Sequence, residues 1–564
     1  MGLAPAVATF SRLFRLFLAG PTFSSRVRWF DSERGFVPSA RLWLRVYLGI
    51  AGATILFAAS AAGSDEFLRL DVRLPVEQTP DSSETAEKIE FHDVAGGPEM
   101  EFVQWVELGQ KPAWRIWSLR PEARSVDLLA TLPMPMDTIQ AEPLLAAWAC
   151  PQPGAKEALF VLAPDGGWLL TPDLGKGVFA AQRIFTTPTA LAETDQRTGV
   201  YPRPIAFDAD GDGAAEVLSF SEEAQSLWRR GADGAYHPAP LPPPNVKTQA
   251  AQPRIGFFAR RFPSGWGWRG DRSEELELSG EQALGGCAAQ FQDIDFDGRL
   301  DFVQEGPRNG GSRELAVSKQ RPDGGFAAPC PTRPPAFDWL PRALVSGPLN
   351  FDGDSSADYL AKHSEFSLED PRTVIAIEYG REEASPAGQR PRQTFRTRDP
   401  AGLIWIGDID GDGIDDLATT FLSYLVASSE DLIDYFLRDE ARFQIRTFYG
   451  ARGQGLPARP DDTLEVKVKT AAFWPPLAPP FDLSGDFNGD GGRDLLLRRS
   501  ESEIHLHCLD KKHRRFDKRP AFKFSVPENQ CVLPLDLDAD GKTDLICTQE
   551  DRLAFRIYLS GRRP

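Results

Sequence analysis

An all-β fold is the class this sequence predicts: a β-propeller, with eight blades rather than seven and calcium loops in most of them. Three observations carry the expectation. One short acidic phrase occurs six times in a fixed register, each copy runs straight into a short apolar stretch, and the copies recur at intervals near the length of a propeller blade. The phrases read DADGDGAAE at 208–216, DIDFDGRLD at 293–301, NFDGDSSAD at 350–358, DIDGDGIDD at 408–416, DFNGDGGRD at 486–494 and DLDADGKTD at 536–544.

Along the chain, residues 46–63 are uncharged and mostly apolar, with Arg41 and Arg45 before them and Asp65 and Glu66 after. Ala59-Ser60-Ala61 fits a signal-peptide cleavage pattern, so residues 1–61 are expected to be a leader; an uncleaved anchor is the alternative. Either way residues 62–564 are expected outside the cytoplasm, in the periplasm, at the cell surface or beyond, because the Arg-rich side stays in. The segment EFLRLDVRLP at 66–75 alternates and is a candidate closing strand for the last blade, which ends at Leu553–Leu559.

Two degenerate copies precede the six. DVAGGPEMEFVQ at 93–104 keeps Asp93 and Glu101 but has Ala95 and Gly97 at positions 3 and 5. ACPQPGAKEALFVL at 149–162 keeps only Gly154 at position 6, Glu157 at position 9 and the strand. Counting both, the chain holds eight units. After each loop an alternating strand leads through a polar turn to an aromatic residue, as in Leu227-Trp228 to Tyr236 and Ile504 to Phe516, which predicts a hairpin. Two insertions interrupt the spacing. Residues 237–285 are rich in Pro, Gly and Arg and contain GWGWRG, and residues 428–440 read as a short helix with Ser428 and Asp431 as its cap. Either insertion is a candidate ligand-binding loop.

The chemistry lies in the register. Positions 1, 3 and 5 are Asp or Asn and position 9 is Asp or Glu. The candidate ligands are Asp208, Asp210, Asp212 and Glu216; Asp293, Asp295, Asp297 and Asp301; Asn350, Asp352, Asp354 and Asp358; Asp408, Asp410, Asp412 and Asp416; Asp486, Asn488, Asp490 and Asp494; and Asp536, Asp538, Asp540 and Asp544. A hard cation such as calcium takes about six to eight oxygens, and alternating carboxylates in a tight loop supply three, with the position-7 carbonyl and position-9 acid adding more. Gly at position 6 in five copies permits the sharp turn. The copy at 350 departs furthest, with Asn350 at position 1 and Ser355 at position 6. An EF-hand is excluded, since position 12 is never acidic and a strand takes the place of the helix. The register holds no His or Cys, which argues against zinc or copper.

The motif Asp-x-Asp-x-Asp-Gly-x-x-Asp followed by a strand, with Tyr379-Gly380 and Tyr449-Gly450 closing two units, resembles the FG-GAP/VCBS repeat of integrin-alpha-type β-propellers over roughly residues 90–564. The resemblance implies a calcium-loop propeller and leaves function open, because such rings serve adhesion, ligand binding and some enzymes.

The net charge is −18, and the leader holds seven Arg against Asp31 and Glu33, so the exported part is more acidic still. That balance, with no Walker loop and no long basic run, argues against nucleic acid as a partner. Six cysteines in an exported chain permit disulfides. His505 and His507 share one strand face, expected to be exposed. No nucleophile–base pair stands out, so no catalytic residue is assigned. The reading is an exported calcium-binding propeller that serves as a scaffold for a protein or carbohydrate ligand. A polysaccharide lyase or hydrolase on the same ring is the alternative, and membrane contact is expected only through an uncleaved leader.

Overall fold

A computed structural model describes residues 67–73, 89–97, 99–108, 111–121, 125–139, 144–187, 200–202, 205–220, 225–242, 289–305, 315–332, 344–365, 372–380, 392–397, 404–422, 439–469, 481–500, 502–526, 531–548 and 554–561. The leader, the GWGWRG loop and residues 428–438 of the helix expected at 428–440 lie outside the described residues, and the described end of that segment is not helical, since Glu440 opens a strand. Of the two insertions, Tyr236–Pro240 is a strand and Glu440 begins another, Glu440–Phe448.

Among the described residues every regular element is a strand, and the strands form eight antiparallel blades. Blade I runs from Ile89–His92 to Ser125–Pro133, blade II from Leu144–Ala149 to Val178–Phe185, and blade III from Ala206–Phe207 to Tyr236–Pro240. Blade IV runs from Ala289–Gln292 to Cys330–Thr332, blade V from Leu344–Leu349 to Arg392–Thr397, and blade VI from Ile404–Gly407 to Asp462–Lys469. Blade VII runs from Phe481–Gly485 to Phe522–Ser525, with a small extra hairpin, Leu509–Asp510 and Arg515–Phe516, inserted before its last strand. Blade II carries one more strand, Val200–Pro202, parallel to Leu144–Ala149.

Blade VIII takes only three strands from the C-terminus, Cys531–Leu535, Asp544–Thr548 and Ala554–Ser560. Its fourth is Phe67–Arg73, paired antiparallel from Phe67 opposite Ser560 to Arg73 opposite Ala554. The alternating segment expected to close the ring therefore does so, and Phe67, Leu68, Leu70 and Val72 are buried by it.

The core lies between blades. Trp114 and Ile116 of blade I pack with Trp148, Leu159 and Trp168 of blade II. Phe160 of blade II, Val217 and Leu227 of blade III and Phe302 of blade IV form one cluster, and Leu360 and Ile377 of blade V meet Leu417 and Phe448 of blade VI. Blades VI, VII and VIII share another. The circle closes where Leu70, Ile546 and Ile557 of blade VIII meet Phe102 and Trp117 of blade I. Each blade thus buries both faces against neighbours, which is why the strands read as continuous apolar runs such as Leu495-Leu496-Leu497, all three under 3% exposed.

A recurrent backbone bond joins neighbouring blades. The N–H just before the position-9 residue donates to a carbonyl at position 1 or 2 of the preceding loop. Examples are Glu157 to Asp93, Ala215 to Cys150, Leu300 to Ala209, Asp415 to Asn350, Arg493 to Ile409 and Thr543 to Asp486, at 2.6–2.8 Å. Met100 N–H to the Leu537 carbonyl, 2.8 Å, makes the same bond from blade I back to blade VIII. The acidic loops therefore sit in a row around one end of the ring.

Two readings need correction. Ala158, not Glu157, pairs with the last residue of its preceding strand, Ala149, so Glu157 stands at position 8 of the blade II loop. Its carboxylate goes elsewhere, to His92 Nδ1 at 2.5 Å. The expected exposure of His505 and His507 also fails: His507 is 3% exposed, with Nδ1 bonded to the Asp517 carbonyl at 2.7 Å, and the His505 side chain is 13% exposed, because both faces of a blade are covered.

Candidate metal centres

Each acidic loop joins the first and second strands of its blade, and in all six the position-9 residue lies opposite the last residue of the first strand, as in Phe207 with Glu216 and Gly407 with Asp416. The eight residues between must reverse the chain in little space. Position 6 does so in a left-handed conformation, with φ of 81–90° at Gly213, Gly298, Gly413, Gly491 and Gly541. Position 4 is left-handed too, at Gly211, Gly353, Gly411 and Gly489 but also at Phe296 (φ 58°) and Ala539 (φ 53°). A side chain at Gly411 would in addition run into the Gly491 carbonyl of the next blade's loop.

The carboxylates first serve the loop itself. Asp408 at position 1 accepts the N–H groups of Gly411 and Gly413 (2.7 and 2.9 Å), and Asp208 and Asp486 do the same in their loops. Position 5 accepts the N–H of position 7, as Asp412 does from Ile414 and Asp490 from Gly492. Position 9 reaches further. Asp416 Oδ2 accepts the Ile409 N–H at position 2 and Oδ1 the Gly450 N–H at the end of the third strand, both at 2.7 Å. Asp301, Asp358, Asp494 and Asp544 make the same two-sided bridge. The glycine of the Tyr-Gly pairs is therefore a donor to this bridge, at Gly380 and Gly450.

Enough oxygen remains for a cation. In four loops three acids bring ligand atoms within 4.8 Å of one another: Asp208, Asp210 and Glu216; Asp293, Asp295 and Asp297; Asp408, Asp410 and Asp416; Asp536, Asp538 and Asp540. Buried carboxylate oxygens with no hydrogen-bond partner point the same way, at Asp295 Oδ1, Asp410 Oδ1 and Asp536 Oδ1, and the Asn350 amide oxygen is another. A buried acceptor left without a donor is costly, and a bound cation removes that cost. An all-oxygen donor set of this kind fits a hard divalent ion. The 350 and 486 loops do not assemble three acids in this way. Asn350 replaces one carboxylate, and Asn488 another, its amide donating to Asp490 at 3.2 Å.

Burial and mutual repulsion push the position-9 acids up, Glu216 and Asp416 to about 8, Asp358, Asp494 and Asp544 to about 7, and Asp301 to about 6. Burial also raises Asp210, Asp293, Asp352 and Asp410.

Basic side chains flank the position-3 acids, a feature the register does not announce. Lys319 Nζ lies 3.0 Å from Asp295 Oδ2, Arg229 Nη1 3.6 Å from Asp210 Oδ2, and Arg514 Nε 2.7 Å from Asp410 Oδ2. The blade I loop lacks the acids at positions 3 and 5, and there the Lys156 side chain lies against Gly96. Beside it, His92 is held between Glu157 and Glu90, and these contacts outweigh burial and lift it to about 9.

No protein-family model matches the chain, and neither does any curated protein sequence. Among solved structures the chain is similar to an Agrocybe aegerita lectin that recognises non-reducing terminal N-acetylglucosamine (13% identity, 66% of this chain and 78% of that one, TM-score 0.35). It is also similar to the Dos1 propeller (11%, 89% and 94%, TM-score 0.33). A third is the exotype rhamnogalacturonan lyase YesX (13%, 88% and 76%, TM-score 0.20). At these identities and scores, the propeller assignment rests on the eight sheets and their hydrogen-bonded closure.

Proposed function

We propose that this chain is an exported calcium-binding propeller of the FG-GAP/VCBS kind, and that it acts as a rigid scaffold for a protein or carbohydrate ligand. The observation that carries the calcium part is the convergence of three acids in each of four loops, three of which bury a carboxylate oxygen that no protein donor reaches. Four sets of acids would each hold one ion: Asp293, Asp295 and Asp297; Asp536, Asp538 and Asp540; Asp208, Asp210 and Glu216; and Asp408, Asp410 and Asp416. The ion would neutralise crowded charge and lock each turn; the protein's own bridges at position 9 orient the loop around it. Calcium is preferred to magnesium because the donors come from a flexible loop of many protein oxygens rather than a rigid octahedron. The scaffold role is supported by the use of the repeated residues in core and loops.

The test is direct metal analysis. After dialysis against calcium and removal of free ion, the full chain is expected to retain about four ions or more. Asp410→Ala is expected to retain one fewer. A chain with no retained calcium would remove the basis of the proposal.

A further inference from the structure

We propose that Arg514 is a built-in counter-cation of the 408–416 loop, which holds the seam between blades VI and VII when no ion is present and lowers that loop's affinity for calcium. The inference rests on the calcium reading above and concerns how one loop is tuned.

Arg514 belongs to blade VII, in the turn between Leu509–Asp510 and Arg515–Phe516, where it takes a left-handed φ of 51°. It reaches across the seam to the blade VI loop. Its Nε lies 2.7 Å from Asp410 Oδ2, its Nη2 3.3 Å from Asp412 Oδ2, and its guanidinium carbon 5.3 Å from the centre of the Tyr449 ring. Arg493 of the same blade grips this loop from below, through N–H to the Ile409 carbonyl (2.6 Å) and Nε to the Asp408 carbonyl (2.9 Å).

The division of oxygens is informative. Asp410 is 6% exposed; its Oδ2 faces Arg514, and its Oδ1 is buried without a partner inside the loop. Asp412 spends Oδ1 on the Ile414 N–H and Oδ2 on Arg514. The converging acids here are Asp408, Asp410 and Asp416, the same positions as Asp208, Asp210 and Glu216, whereas the 293 and 536 loops include their position-5 acids, Asp297 and Asp540. A fixed guanidinium against positions 3 and 5 relieves their repulsion when the loop is empty. For the same reason it opposes a second cation arriving a few ångströms away. The blade VI–VII seam then stays joined with or without calcium, and the ion competes with a charge the protein already carries.

The experiment is a calcium titration of the full chain against a chromophoric chelator, with thermal melts in excess chelator. In Arg514→Met one calcium is expected to bind more tightly, by about tenfold or more, since even with the screening of bulk water one charge acts on a divalent ion a few ångströms away on that scale. Its melting temperature in chelator is expected to fall below wild type. In Arg514→Met with Asp410→Ala the tightened site is expected to vanish. Unchanged or weaker calcium binding in Arg514→Met, with wild type binding normally, would overturn the proposal alone. No binding by wild type would remove the calcium reading and this proposal together. Should Arg514→Met fail to fold, Arg514→Gln decides by the same two outcomes.

Discussion

Deleting residues 67–73 is expected to open the ring and destabilise it by about 6 kcal/mol or more, taking four buried apolar side chains at roughly 1.5–3 kcal/mol each. Those side chains are Phe67, Leu68, Leu70 and Val72, all under 9% exposed. The deletion also strips the whole antiparallel ladder from Ala554–Ser560, leaving an unpaired edge. Phe67 packs against Phe522 and Phe524 of blade VII, at ring separations of 4.6 and 5.0 Å, so the loss spreads to the neighbouring blade. Urea unfolding of the truncated chain is expected to begin at much lower denaturant, with blade VIII separating first. A transition matching the intact chain would show that the N-terminal strand is dispensable for closure.

Asp416→Ala is expected to cost about 2–6 kcal/mol, since two buried backbone N–H groups lose their acceptor at about 1–3 kcal/mol each. The two are Ile409 and Gly450, and Asp416 is 0% exposed. The loss is expected in chelator as well as in calcium, because the bridge from loop to third strand exists without an ion. Asp412→Ala should differ. Its side chain is 32% exposed, its one backbone bond lies within the loop and its pair with Arg514 is partly solvated, so its loss in chelator is expected to be smaller, about 1 kcal/mol. Chemical denaturation of both variants, with and without chelator, separates the two roles. Equal losses for both in chelator would contradict the bridge.

Much of this molecule is legible in the repeated register. Nine fixed positions locate each loop between two strands, and the pairing of position 9 with the end of the first strand holds in all six acidic loops. The closing strand is legible because Phe67–Arg73 alternates by itself, outside any repeat. What escapes the register is whatever depends on partners far along the chain. Arg514 lies 102 residues from Asp412, so no local pattern links them. The second duty of the position-9 acid, to the N–H after the third strand, lies 34 residues away at Gly450. Position 4 leaves a weaker signal, since Gly recurs there in four of the six acidic loops, and Phe296 and Ala539 hide the pattern by taking the same left-handed turn. Glu157 misleads because an acid one residue out of register looks the same in sequence, while the strand pairing turns it toward His92.

The central claim is that cations lock these loops, and thermal melting after verified metal removal tests it most directly. Position-9 acids raised to about 7 or 8 in the metal-free fold, such as Asp494 and Asp416, favour their protonated forms there. The folded state then binds more protons than the unfolded one. The stabilisation that these acids give the metal-free ring is therefore present at low pH and lost as pH rises through about 6–8. Calcium takes the ionised carboxylates, so its benefit grows over the same range. The account predicts a melting temperature that drops in chelator, recovers with calcium more fully than with magnesium, and shows a wider gap at about pH 8.5 than at about pH 6. Melting curves that are unchanged by complete metal removal at the higher pH would contradict it.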